Sequence, residues 1–314
     1  MDDSAHNGSH NFYSLKNVLF SLIVSAGYLL LSMIVVGFKA DQLMLMALFN
    51  AFYFISSKTR KFILAFSVFI VYWIIFDYMK AFPNYRYHDV HIESLYNDEK
   101  NVFGIRSGSV LLTPNEYFLQ HQQVWLNVIT GVFYLCWVPL PLAFAAILFF
   151  KNKKYFFYFS LTFLLVNILG FIVYYIYPAA PPWYVQQYGF DFIPATHGNT
   201  AGLQRFDDFF HARIFAGIYS KSSNVFAAMP SLHASYPLLV LFYGLKYKFG
   251  YWNYLFFTIM IGIWFAAVYN SHHYVLDVLA GIACGFTGLI VFLLFAEKTS
   301  LGKKIIDKMI RGTS

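Results

Sequence analysis

Long apolar runs joined by short basic links set the pattern of this chain. Runs of about 18 or more apolar residues with few charges read as membrane helices, because about 20 residues cross the hydrocarbon core. Such runs lie near 18–38, 62–79, 124–150, 155–177, 252–269 and 275–296, with two weaker ones near 42–55 and 229–245. The count is six to eight, and eight fits best. The pattern predicts an all-α polytopic membrane protein with about eight transmembrane helices.

Composition agrees. The chain is 59% hydrophobic, 22% aromatic and 12% charged, and an average soluble domain carries about twice that charge fraction. With eight spans, Lys16, Lys58, Arg60, Lys61, Lys151, Lys153, Lys154, Lys246, Lys248, Lys298, Lys303, Lys304, Lys308 and Arg311 fall on one side. By the positive-inside tendency that side is cytoplasmic, and so are both termini. The polar loops 80–123 and 178–224 and the link 270–274 are then outside. The net charge of +7 is thus mostly topology, with no basic patch of a folded soluble domain to bind nucleic acid. The opening "MDDSAHNGSH" precedes an apolar run without a small-residue cleavage signature, so span one reads as a retained signal anchor. Cys136 and Cys284 both fall inside spans and read as packed thiols. The tail 301–310 alternates Lys with Ile and Met, which suits the inner membrane surface.

Ionisable groups at the rim of a span are functional candidates, because burying them is costly. "AAMPSLHASYP" puts His233 near the outer end of span six, and "SHHYVLD" puts His272, His273 and Asp277 at the outer start of span eight. Two distant segments therefore bring imidazoles to one face at similar depth. His273 and Asp277 are spaced i, i+4, one turn apart on a helix. A carboxylate there fixes the tautomer of the ring and leaves the other nitrogen nucleophilic. Pro230 and Ser231 mark a helix start, with the proline in the first turn and the serine bonding free amides. Such a start favours an anion such as phosphate. Together these point to phosphoryl transfer through a phosphohistidine. A metal site built on two His and an Asp ranks well behind, because the sequence offers no further ligand set. For His272 alone, packing and head-group contact both stand open.

"PSLH" (230–233) followed forty residues later by "HHYVLD" resembles the second and third signature motifs of the type 2 phosphatidic acid phosphatase superfamily. With "YPAAPPWY" (177–184) and "FAAMPSLHA" (226–234), the chain is similar to the inositol phosphorylceramide synthase branch, known from fungi with bacterial relatives. The resemblance covers roughly 155–295. It implies a six-helix core with an extracytoplasmic active site, here residues 58–297, preceded by a two-span hairpin in 1–57 and followed by a basic tail, 298–314. It also implies that His273 is the nucleophile, Asp277 its orienting partner, and His233 the group that protonates the leaving alkoxide and then takes a proton from the incoming hydroxyl. The implied partners are membrane lipids as donor and acceptor, and the reaction needs no metal or other cofactor.

The chain departs from the phosphatase form in three places. It has no Arg-Pro dipeptide for the first motif; Leu232 stands where the second motif has glycine; Ala266 and Ala267 stand where the third has Ser-Arg. Transition-state charge on phosphorus must still be neutralised. Loop 178–224 offers Arg205, Arg213 and Lys221, and the resemblance to the synthase branch favours Arg205 and Lys221. Ser231 and His272 are further candidates for substrate contact, as are Asp77 and Lys80, which can instead pair with each other. "HDVH" (His88, His91) reads as an exposed polar loop before a metal pair. "AAPPWY" reads as a rigid extended turn with Trp183 and Tyr184 at the interface. Rival functions on the same residues are a lipid phosphate or polyprenyl diphosphate phosphatase and, from another class, a non-catalytic transporter.

Overall fold

A computed structural model describes residues 13–220 and 224–313. All eight apolar runs are helical in it. The described helices are α1 (Leu15–Val35), α2 (Ala40–Ile55), α3 (Ser57–Tyr78), α4 (Glu93–Phe103), α5 (Pro114–Gln120), α6 (Val124–Leu135), α7 (Pro139–Lys151), α8 (Lys153–Ile176), α9 (Pro182–Tyr188), α10 (Gln204–Phe209), α11 (Ile214–Tyr219), α12 (Leu232–Lys246), α13 (Trp252–Tyr269), α14 (Val275–Lys298) and α15 (Ser300–Thr313). A small hairpin of β1 (Ile105–Ser107) and β2 (Val110–Leu112) interrupts the segment between α4 and α5. The protein is an integral, multi-pass, all-α membrane protein.

Five of these helices are long and apolar enough to cross a membrane, and a bent pair supplies a sixth span. That pair occupies the run expected over 124–150 as two helices, α6 and α7, that meet at 40°. Pro139 opens α7, where its ring suits a first turn but not the interior of a continuous helix. The two weaker runs are α2 and α12, of 16 and 15 residues. At about 1.5 Å per residue α12 is ~22 Å long, short of the ~30 Å hydrocarbon core.

Two compact units divide the chain. In the first, residues 13–82 and 303–313, α2 carries Met46, Phe49 and Tyr53 into an apolar cluster with Val24, Tyr28 and Leu64. Ser56 caps α3 by accepting from the Thr59 amide at 3.1 Å. In the second unit, residues 83–302, α12 lies at the centre and packs on α13, α14, α8 and α7, while α14 packs on α8 and α6 on α13. Asn152 starts α8 by accepting from the amides of Lys154 and Tyr155. Pro237 lies inside α12 and removes the amide that would otherwise bond the His233 carbonyl.

The irregular segments of the second unit gather where α12 and α14 begin. Ala179 bridges to His91 on one side and Ala227 on the other, so 177–181 is extended as the prolines imply. Trp183 and Tyr184 are not at an interface, however. They lie on α9 in a buried cluster with Ile92, Ala180 and Phe226. The Tyr184 hydroxyl donates to the Asp191 carbonyl and accepts from the Ile193 amide. A buried tyrosine hydroxyl finds such partners.

Candidate active site

The start of α12 is docked on the first turns of α14. The Ser231 amide donates to the Asp277 carbonyl at 2.9 Å, and the Ser235 hydroxyl donates to the Gly281 carbonyl at 2.6 Å. The approach depends on Gly281, where a Cβ would overlap the Ser231 carbonyl. This contact brings the two histidine segments together. His233 Nδ1 lies 3.0 Å from His273 Nε2, and His273 Nδ1 lies 3.5 Å from Asp277 Oδ2. The same Oδ2 accepts from the Tyr274 amide at 2.8 Å. Asp277 and Ser231 are fully buried, and among the described residues Asp277 Oδ1, Ser231 Oγ and His273 Nδ1 have no hydrogen-bond partner. Buried polar atoms are rarely left so.

Two local expectations need correction. His273 is not on a helix with Asp277: α14 begins at Val275 after Tyr274, an extended N-cap residue. The pair meets because the turn folds back, with the amides of His272 and His273 both donating to the Ala267 carbonyl at 3.0 Å. Ser231 is the N-cap residue of α12, but its side chain makes no cap bond, and Pro230 precedes the cap rather than occupying the first turn. The hydroxyl is thereby left unspent.

Aromatic rings wall this cluster. Trp137, at the α6–α7 break, meets His233 edge-on at 4.5 Å, and Tyr134 lies 5.2 Å from His233 and 5.4 Å from His272. His272 stacks on Tyr219 at 4.5 Å, and its Nε2 donates to the Thr200 carbonyl at 2.9 Å. Burial pushes His273 down from 6.5 to about 4. Burial, aided by the neighbouring His273, pushes His272 down to about 3. Both are therefore neutral imidazoles near pH 7.

Arg205 reaches the same turn from α10. Its Nε donates to Asn127 Oδ1 at 3.0 Å, its Nη2 lies 3.5 Å from Asn270 Oδ1, and the Gly202 amide donates to the Asn270 carbonyl at 3.0 Å. Among the described residues Arg205 has no carboxylate partner, so its charge stands uncompensated, and burial lowers its pKa. The positions of the missing motif pair, Ala266 and Ala267, are buried in an apolar cluster with Leu203, Phe206 and Phe215. Arg205 lies beside that cluster, on α10 rather than on α13.

Other expected residues are placed elsewhere. Lys221 lies outside the described residues. Lys80 donates to Asp77 at 2.7 Å within the first unit. Arg213 and His88 are exposed, and His91 stacks on Tyr177 at 3.8 Å. Among the described residues no group of three or more His, Cys, Asp or Glu side chains is arranged to hold a metal ion. Three buried residues drew no attention in the sequence. Glu99 accepts from the amides of Val275 and Leu276. Asn115 donates to the carbonyls of Val268 and His273. Asp207 accepts from the amides of Phe215 and Ala216, the start of the helix that carries Tyr219. Their partners are backbone atoms, which leave no trace in a sequence.

Two imidazoles thus lie in line before a buried carboxylate in a helical membrane protein. The sequence matches the PAP2 superfamily over residues 110–291, and the chain belongs to that family. It is 44% identical over 281 residues to phosphoinositol dihydroceramide synthase of Bacteroides thetaiotaomicron, across 89% of this chain and 92% of that one. It is 31% identical over 153 residues to the inositol phosphorylceramide synthase catalytic subunit of Schizosaccharomyces pombe, covering 48% of this chain and 35% of that one. The Saccharomyces cerevisiae subunit of the same name is 35% identical over 118 residues, 37% of this chain and 29% of that one. No solved structure is a significant match.

Proposed function

We propose that this chain is a membrane transferase that moves inositol phosphate from phosphatidylinositol to a ceramide-type lipid through a phosphohistidine on His273. The observation that carries the reading is the 3.0 Å contact between His233 Nδ1 and His273 Nε2, with Asp277 behind the second ring. One set of tautomers satisfies both contacts: His273 carries its proton on Nδ1, facing the carboxylate, and His233 Nδ1–H points at the lone pair of His273 Nε2. The nucleophilic nitrogen and the proton donor thus face one another, and phosphorus enters between them.

Nε2 attacks phosphorus, the bond to the diacylglycerol oxygen breaks, and protonated His233 gives that oxygen a proton. The acceptor hydroxyl then loses its proton to His233, its oxygen attacks phosphorus, and the P–N bond breaks to restore His273. Arg205 holds the phosphoryl charge, and the unspent Ser231 hydroxyl is placed to donate to a phosphoryl oxygen. A diester carries one negative charge against about two for a monoester near neutral pH, which suits a site lacking the phosphatase cations. The name of the Bacteroides relative supports this donor and acceptor. The positive-inside pattern supports an extracytoplasmic site with cytoplasmic termini.

Purified protein given phosphatidylinositol labelled in the head group, with ceramide, tests the reading. Label in a new lipid is the expected result. Inorganic phosphate released from a lipid monoester, with no transfer, sinks it in favour of a phosphatase.

A further inference from the structure

The segment 83–120 contributes no reacting group, yet two of its buried side chains reach the catalytic turn. Glu99 on α4 is fully buried and accepts from the Val275 amide at 2.9 Å and the Leu276 amide at 3.0 Å. Asn115 on α5 is also fully buried, and its Nδ2 donates to the carbonyls of Val268 at 2.8 Å and His273 at 2.9 Å. These bonds bracket the turn between α13 and α14 on both sides of His273.

A helix start leaves its first amides without acceptors. Asp277 takes the Tyr274 amide, but the N-cap residue is a tyrosine, which cannot cap as serine or aspartate would. A serine at 274 would satisfy one amide locally and tie α14 only to itself. A carboxylate from α4 instead ties the start of α14 to another part of the unit, and its charge complements the helix dipole. The arrangement is costly: burial raises the Glu99 carboxyl from 4.5 to about 7 against the two amide bonds that lower it, with Asp277 adding repulsion. Asn115 spends both Nδ2 protons on the turn and leaves its buried Oδ1 without a partner. With these bonds the amide and the carbonyl of His273 are both held. Its amide is on Ala267, its carbonyl on Asn115, and its ring lies between His233 and Asp277.

We propose that Glu99 and Asn115 are positioning residues for phosphoryl transfer, clamping the backbone of 268–277 so that His273 Nε2 faces the phosphorus and His233 at attacking distance. The proposal rests on His273 being the nucleophile. A misplacement of about 1 Å can cost roughly 100-fold in rate, whereas the substrate's binding contacts are untouched.

The test uses the full-length protein in vesicles containing phosphatidylinositol and ceramide. Glu99→Gln keeps the shape but turns a donor toward one amide, and Asn115→Leu removes both donors. Each should lower kcat about 10- to 100-fold, with KM for the donor lipid within about twofold. Glu99→Asp, which keeps the charge on a shorter stem, should recover part of the loss, and exposed Glu93→Gln on the same helix should behave as wild type. The folded fraction, by gel filtration and thermal melting, normalises each rate. Wild-type kcat per folded molecule in both Glu99→Gln and Asn115→Leu, or a rise in KM alone, overturns the clamp. Should Glu99→Gln fail to fold, Asn115→Leu and Glu99→Asp decide by the same criterion. His273→Ala run in parallel separates the two readings. If it is inactive while the clamp variants are normal, the clamp alone falls. If it turns over fully, the nucleophile and the clamp fall together.

Discussion

His273 faces two partners with two different ring nitrogens, and each partner has a distinct effect on removal. Nδ1 lies 3.5 Å from Asp277, which on the proposed mechanism keeps the proton there, and Nε2, the proposed reacting atom, lies 3.0 Å from His233. Groups that act as one unit are lost together, so their replacements do not add. His273→Ala and His233→Ala should each lower kcat by about 10³-fold or more, and the double variant should be no worse than either. Additive losses in that cycle would show separate roles. The pH dependence follows from burial. On the proposed mechanism His273 attacks only when neutral and, held at about 4 instead of 6.5, becomes cationic only in acid. His233 must carry a proton to release the alkoxide, so the profile should be a bell with its acid limb near pH 4 to 5. A flat profile from about pH 4 to about pH 9 would reject the pairing. Stability moves the same way. Folded His272 and His273 bind protons more weakly than in the unfolded chain, so their contribution is full above pH 6.5 and is lost as pH falls toward about 3 for His272 and about 4 for His273. Melting curves at each pH separate the two effects. For Arg205, with no carboxylate partner among the described residues, Arg205→Gln should cost about 10²- to 10³-fold in kcat, and unchanged turnover would move the phosphate elsewhere.

At the scale of elements, the distance between the histidines is set by how closely α12 approaches α14. Gly281 on α14 lies against the Ser231 carbonyl with no room for a methyl group, and backbone cannot rotate aside as a side chain can. Gly281→Ala should therefore destabilise by about 1–3 kcal/mol and lower activity more than stability alone explains, because His233 moves from His273. Gly217 is the control: it lies on a helix with nothing within 4 Å of a new Cβ. Gly217→Ala should leave activity unchanged and gain at most ~1 kcal/mol. Equal behaviour of the two would show that the contact is not limiting. Here the limits of reading a sequence become physical. The helices and the trio His233, His273 and Asp277 were legible because apolar length and costly rim charges are local signals. Glu99, Asn115 and Asp207 were not, since each acts on backbone atoms brought near only by the fold. The α6–α7 bend lay between. Pro139 and Pro141 stood in plain view, but proline tolerates a helix start as well as it breaks an interior.

For the whole molecule, the open question of orientation is one of charge against a membrane. The basic links Lys151–Lys154 and Lys246–Lys248 join helices whose other ends lead into 178–231 and 270–274, where the histidines meet. If basic residues stay cytoplasmic, the site faces outward, and two exposed positions should label oppositely. Cys136 and Cys284 are both free thiols, so a background with Cys136→Ala and Cys284→Ala is needed first. In that background His197→Cys, exposed in the 178–224 loop, should react with a membrane-impermeant maleimide added to intact cells stripped of their outer layers. Lys248→Cys, exposed between α12 and α13, should react only after the membrane is opened. The reverse pattern would put the histidine pair on the cytoplasmic side. It would also mean that Lys151, Lys153, Lys154, Lys246 and Lys248 of the second unit lie against the rule, a cost of about 1 kcal/mol for each residue near an anionic inner surface. That sum makes outward the orientation to expect, and a single labelling experiment on two cysteines decides it.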